Sequence, residues 1–490
     1  MIDVEIYDKT DPVSIENYGK NLIGKAFLDF ILNSEDTTTT DDISTYGMIV
    51  NKHGLGNHLG ERYFNLGERG TSKTTFADAN IELKILPYEL TNGEGFRVVG
   101  NLELEEVKNF LPVNFNFYSS NLWKKQKQLL LIFYLRDKGL GSNLLYTINY
   151  VKMFTPTSED IKIIEDDYKK IVRTIAKGKA HELSESDTMY LGICLGENSY
   201  TSGKVSQFYP PFSLTNKKVF CYKNSYMTYI LNHHIVNGKE TIEPIIKDPA
   251  QLDSKTFEEF ILEKIHNYAG KTDRELCQMF SRTYNNNIDQ WIDLTYKMLG
   301  INSNCAQEFV KGNIVIKTIR IESNGKVKEK FSLPPFKAKE LVGENWEDSI
   351  LYNYFRETKF LFVIYKKNGN SYELKGSQLW NMPVNDLETT VRESWEKIRN
   401  ILRDGLILTK QKIKGTFIIK NNLPKKNDNP IISIRPHAKK RYYVLETGET
   451  IGDDRYQYGD ELPDGRWITR QSFLINDEYI MKQLDEKLLR

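Results

Sequence analysis

Two charged side chains in the segment IELK, Glu82 and Lys84, are the first in this chain whose types and spacing suit a reaction. Side chains alternate along a strand, so Ile81, Leu83 and Ile85 face one way while Glu82 and Lys84 project together from the other, about 6.5 Å apart. Taken alone, an ExK is most often an ion pair at a sheet edge. The alternative is phosphodiester hydrolysis. There a carboxylate holds a hard divalent ion such as Mg²⁺, which neutralises phosphate and makes water nucleophilic. An adjacent lysine orients or deprotonates that water and stabilises developing charge. The stretch GLGNHLGERYFNLG (54–67) reads as a short helix that brings a second acid, Glu61, to the same strand.

The elements that position these residues occur twice. ERYFNLGERGTSKTTFADANIELK, from Glu61, lies over LTYKMLGINSNCAQEFVKGNIVIK, from Leu294, without a gap. In that frame Gly67 meets Gly300, Phe76 meets Phe309, Asn80 meets Asn313, Ile81 meets Ile314 and Lys84 meets Lys317. LLLIFYLRDKG (129–139) resembles FLFVIYKKNGN (360–370) in the same order, each an apolar strand of central type before a polar turn. Two matches in nearly one register indicate a duplicated domain. The copies part in VNGKETIEPIIKDPAQLDSKT (236–256). Beyond it TFEEFILEKI has helical spacing, and Thr272 with Glu275 forms a capping-box pattern. The second copy has Leu294 over Glu61 and Val315 over Glu82. Both acids become aliphatic while the lysine stays, as follows if they share one metal site present in the first copy alone.

Composition bounds the rest. A chain of 490 residues exceeds one compact core, so two domains are the default. Hydrophobic content of 40% and charged content of 27% are those of an ordinary globular protein. No apolar run reaches the roughly 18 residues of a membrane span, and MIDVEIYDKTDP has no signal-peptide pattern. Cys194, Cys221, Cys277 and Cys305 are widely spaced, without zinc-ligand spacing, which fits a reducing, cytoplasmic location. A net charge of +1 excludes a grossly basic nucleic-acid coat. Local basic runs remain at 169–181 and 425–441. His233 and His234 read as helix-end residues rather than metal ligands.

Here the chain resembles a known group. A helical glutamate upstream of the ExK strand resembles the PD-(D/E)xK nuclease superfamily and, more narrowly, its MutH-like group. GKAHELSESDTMYLG (178–192), NSYMTYIL (224–231), WEDS (346–349), ETKFLFVIY (357–365) and GRWITRQSFLINDEYI (465–480) resemble tandem-domain restriction endonucleases of the Sau-three-A type, which cut GATC. The resemblance implies an α/β fold of two tandem restriction-endonuclease-like domains, each a mixed central sheet flanked by helices. Residues 1–240 would cut, and residues 241–490 would bind DNA as an effector without the catalytic acids. It implies Mg²⁺, double-stranded DNA containing GATC, no membrane, and a free monomer that associates on two-site DNA.

Carried over by position, Glu61 matches the family's helical acid, Glu82 its strand acid and Lys84 its catalytic lysine. Lys125 matches a further active-site lysine before the apolar strand. The family's aspartate seven residues before the strand glutamate is here Thr75, a poor Mg²⁺ ligand, and Asp78 is the nearby acid that would compensate. For DNA contacts the resemblance points to Arg435, with His437 and Lys439, in the loop IRPHAK of the second copy. LSESDT, with Ser184, Glu185, Asp187 and Thr188, is the equivalent loop of the first, and Trp467, Tyr226 and Met227 begin the strands behind. The rival readings are a GATC-binding protein disabled at Thr75, a single-domain nicking enzyme, against which the second copy argues, and a scaffold without a nucleic-acid partner.

Overall fold

A computed structural model describes residues 7–32, 63–66, 74–91, 95–196, 203–236, 242–302, 306–413 and 416–489. The chain divides into two units, Met1–Phe257 with Cys305–Asn313 and Glu258–Asn304 with Ile314–Arg490. The division falls later than residue 240. Ile245, Ile246 and Leu252 are buried, and Lys162 donates to the Pro249 carbonyl at 2.8 Å, which keeps this stretch with the first unit.

In the first unit, strands β1 (Glu82–Leu90), β2 (Phe96–Val98), β3 (Leu102–Val107), β4 (Leu129–Leu135), β5 (Thr147–Phe154), β6 (Leu191–Leu195), β7 (Val205–Ser206), β8 (Leu214–Thr215) and β9 (Lys218–Tyr222) build two main sheets. One has the order β2-β1-β4-β5, the other β3-β9-β6, and β7 and β8 pair alone. β1 and β4 run parallel, whereas β2 and β5 flank them antiparallel. Leu129 to Phe133 of β4 are fully buried, as an uninterrupted apolar run in a covered parallel strand should be. The long helix Ser158–Ala176 starts at Thr157, whose side chain accepts the Asp160 N–H, and buries Ile163, Ile164, Ile171, Val172 and Ile175 at helical spacing.

In the second unit, β10 (Ile314–Ile321), β12 (Lys359–Asn368) and β13 (Ser371–Trp380) form one sheet. β11 (Phe331–Phe336), β16 (Ile432–Pro436) and β21 (Gln471–Ile475) form a second, in the order β11-β21-β16. The hairpin β14 (Leu408–Ile413) and β15 (Thr416–Asn421) and a small sheet of β17 (Tyr443–Val444), β18 (Thr450–Ile451), β19 (Gly459–Glu461) and β20 (Trp467–Thr469) complete the strands described. Phe360, Phe362, Trp380, Trp395 and Phe473 pack in its core.

The duplication is visible in the register. Glu82 lies opposite Leu129 in the parallel pair β1–β4. Val315 lies opposite Phe360 in the parallel pair β10–β12, so the residues matched in sequence occupy matched ladder positions. Asn80 and Asn313, directly before Ile81 and Ile314, both take a left-handed conformation, with φ of 54° and 52°. Leu294, over Glu61, is buried on the helix Ile288–Leu299.

Candidate active site

β1 separates its two faces as its sequence demands. Ile81 and Leu83 join a core with Phe64, Phe76, Leu130 and Ile132, while Glu82 and Lys84 stay partly exposed on the other side. Before the strand the chain folds back on itself. Phe76 and Ile81 exchange backbone hydrogen bonds of 2.8 and 3.2 Å across the turn 77–80, which Asn80 closes. That return brings the Thr75 N–H to the Glu82 carboxylate, donating to Oε2 at 2.9 Å. Glu82 Oε1 lies 3.6 Å from the Lys84 ammonium.

A second cluster faces the first. The short helix Asn121–Gln126, opened by the Ser120 hydroxyl accepting the Trp123 N–H, carries Lys125 near its end. Lys125 Nζ lies 2.6 Å from Glu105 Oε2, with both side chains nearly buried. β3 alternates buried Leu102 and Leu104 with partly exposed Glu103 and Glu105, so both acids share one face. Burial pushes the Lys84 ammonium below the ordinary lysine value. The carboxylates of Glu82 and Glu103 pull it back, and the charge of Lys125 adds to the depression. These charges therefore sense one another, and the positions matched by resemblance converge: Thr75, Glu82, Lys84 and Lys125 meet at one end of β1.

Glu61 lies outside the described residues. Phe64 meets Phe76 edge-on with ring centroids 5.3 Å apart, which ties residue 64 to the turn before β1. Asp78 is exposed in the turn 77–80. Among the described residues no group of three or more His, Cys, Asp or Glu side chains converges as a metal cage. The donors at hand are carboxylate oxygens, with no soft ligand among them. Such a set fits a hard divalent ion that completes its shell with water and phosphate oxygens. Glu103 and Glu105 were missed by sequence reasoning, although LELEEV alternates as a strand with both acids on one face.

The candidate DNA-reading residues are placed unevenly. LSESDT is a self-bonded turn in which the Ser184 N–H donates to Asp187 Oδ2 at 2.6 Å. Glu185 and Thr188 are buried, and only Ser184 and Asp187 are partly exposed. Lysines from β9 and just beyond it fasten the ends of this turn, Lys218 donating to the Leu183 carbonyl at 2.7 Å and Lys223 to that of Thr188. Burial lowers the Lys218 ammonium to about 8. Asp167 accepts the N–H groups of Met189, Tyr190 and Leu191 at 2.7, 2.7 and 3.0 Å and so fixes the entry to β6.

Two corrections follow. LSESDT precedes β6, whereas IRPHAK runs off the end of the matching strand β16, so the two are not topological equivalents. Arg435 is itself on β16, its guanidinium donating to the Ser332 hydroxyl, while His437 and Lys439 lie exposed beyond the strand. Trp467 does begin a strand. Tyr226 and Met227 instead lie on the helix Asn224–Ile230, where Tyr226 stacks on Tyr190 and donates to Asp160 Oδ2 at 3.0 Å. His233 and His234 fall in the wide last turn of that helix.

Residues matching the family described as the DNA mismatch repair enzyme MutH run over 64–167 and again over 298–393. The first stretch contains Thr75, Glu82, Lys84 and Lys125, and the second contains Val315 and Lys317. The chain is also 29% identical to the type II restriction enzyme Sau3AI of Staphylococcus aureus, over 97% of this chain and 98% of that protein. No described helix is long and apolar enough to cross a membrane. A family match in each half, around a clustered ExK and lysine in the first, together with the similarity along nearly the whole length of a restriction enzyme, supports a MutH-like endonuclease of the Sau3AI type.

Proposed function

We propose that this protein hydrolyses double-stranded DNA at GATC with Mg²⁺, using the first unit to cut and the second to bind DNA as an effector. The observation that carries the reading is the convergence of Glu82, Lys84 and Lys125 at one end of β1, beside a match to a restriction enzyme over 97% of the chain. Glu82 would hold the divalent ion, with Glu61 and Asp78 as the further acids proposed for it. Bound there, the ion supplies charge neutralisation of the phosphate and an acidified water. Lys84, partly buried beside Glu82, orients the attacking water and faces the charge that grows on the phosphate. Lys125, held by Glu105, keeps a second positive charge on the same face. Arg435, His437 and Lys439 are proposed to contact DNA from the second unit, and Ser184, Glu185, Asp187 and Thr188 from the first. The protein is read as a cytoplasmic monomer that associates on two-site DNA.

One observation favours a second reading, a GATC-binding protein with weak or no cleavage. Thr75 contributes a backbone N–H to Glu82 where the family's aspartate would contribute a carboxylate. Mg²⁺-dependent cleavage of one-site and two-site GATC plasmids separates the readings. Cleavage that is faster on two sites and lost in Glu82→Gln supports the nuclease with its effector. Specific binding without cleavage, restored by Thr75→Asp, supports the disabled form. Absence of GATC-specific binding and of cleavage in both overturns the assignment.

A further inference from the structure

The second copy has kept more of the reactive face than its lost acids suggest. Lys317 lies opposite Phe362 on β12, and Lys84 lies opposite Leu131 on β4, at matched ladder positions. The facing sheets also correspond. β3 and β11 each carry one irregularity against the neighbouring strand, between Glu103 and Glu105 and between Ser332 and Pro335. Leu102 pairs with Tyr222 and Phe331 with Ile475, and each partner lies two residues before a helix beginning at Asn224 or Asp477. In this register Ser332 stands for Glu103 and Pro334 for Glu105.

Glu82 and Glu103, which act on the first copy's Lys84, and Glu105, which holds Lys125, are thus valine, serine and proline in the second. The lysine alone remains. Among the described residues no carboxylate lies within ion-pair distance of Lys317. Its ammonium sits over the Phe331 ring, 5.2 Å from the centroid, and burial alone depresses its affinity for a proton. At the position of Glu103 the second copy brings in the opposite charge, since Arg435 reaches Ser332 there. Among the described residues Arg435 Nε is buried without a hydrogen-bond acceptor. A half-buried ammonium without a counter-ion is unfavourable unless an anion completes it.

We propose that Lys317, on the strand face where the second copy has lost the matching carboxylate, contacts one phosphodiester of bound DNA and supplies its positive charge. Removal of the carboxylates has turned a surface that holds a cation and a phosphate into one that holds a phosphate only. The inference rests on the DNA-binding role proposed for the second unit and names the group that binds there.

The test measures duplex binding by the full-length protein without divalent ions, from about 50 to about 200 mM salt, with and without GATC. Lys317→Met keeps the apolar stem over Phe331 and removes the charge. It should weaken binding alike on both duplexes and flatten the slope of log affinity against log salt by about 0.9, one phosphate contact. Lys317→Arg should recover the slope. Wild-type affinity and slope in Lys317→Met, with its thermal midpoint changed or not, overturn the site and leave the nuclease reading standing. A wild-type protein that binds neither duplex overturns both.

Discussion

Residues 75–84 and 308–317 lie over each other position for position, yet their charges do opposite things. In the first copy the acid and base are on the strand, partly exposed, with Glu82 accepting one backbone N–H and facing Lys84. In the second copy the strand carries Val315 and keeps only the base, Lys317, while an acid and a second base are in the preceding helix, Gln307–Gly312, as Glu308 and Lys311. Both are buried and fully engaged. Glu308 accepts the N–H groups of Ile245 and Ile246 at 2.9 and 3.0 Å, and Lys311 lies 2.7 Å from Asp160. The left-handed asparagine and the parallel ladder are common to both. What differs is the environment of the carboxylate. It is available to an ion where solvent reaches it, and a structural anchor where backbone donors saturate it.

The comparison breaks most visibly at Glu82. Glu82→Val writes the second copy's residue into the first. Valine suits a strand, so circular dichroism should not change, while Mg²⁺-dependent cleavage of a GATC plasmid falls on the order of a thousandfold. Retained cleavage would mean that the strand acid is not what separates the copies. Next is the buried anchor. Lys311→Ala leaves Asp160 without its partner and should destabilise the first unit by about 3–5 kcal/mol in urea unfolding. A change under about 1 kcal/mol would show that the anchor is ornamental.

Thr75→Asp restores an acid beside Glu82 and should raise cleavage at limiting Mg²⁺ by about tenfold, or about 1.4 kcal/mol. Glu105→Gln releases Lys125 and should lower cleavage by less than about tenfold. In a Lys125→Ala background it should do almost nothing, because the two act as a unit. The smallest effect is a pH slope. Folded Lys218 gives up its proton near pH 8, and the unfolded residue near 10.5. Between these values the unfolded chain binds more protons, so stability rises with pH across that window, and Lys218→Met should remove the rise.

Much of this site was legible in the sequence, and what was hidden has physical causes. The strand with Glu82 and Lys84, its apolar partner and the repeat follow from hydrophobic pattern, because a covered parallel strand leaves a continuous apolar run. Glu103 and Glu105 escaped a gap-free comparison since β3 and β11 are displaced by a different number of positions than β1 and β10. NSYMTYIL is rich in aromatic residues and reads as a strand. It becomes a helix because Tyr226 is fixed by Tyr190 and Asp160, contacts distant in sequence. LSESDT looks like an exposed polar loop, but its polar groups bond one another and two buried lysines, so it folds inward.

The helix Gln307–Gly312 also decides where the gene can be cut. Its contacts are with the first unit, yet Asn313 is joined by one peptide bond to Ile314, which opens the central strand β10 of the second. A fragment ending at Phe257 would therefore strand Asp160 and the N–H groups of Ile245 and Ile246 without their counterparts. A fragment starting after it would carry Phe309 and the charged Lys311 with nowhere to bury them. One short helix of the second repeat has become part of the first unit's foundation, so no single cut between Phe257 and Ile314 separates the two units cleanly.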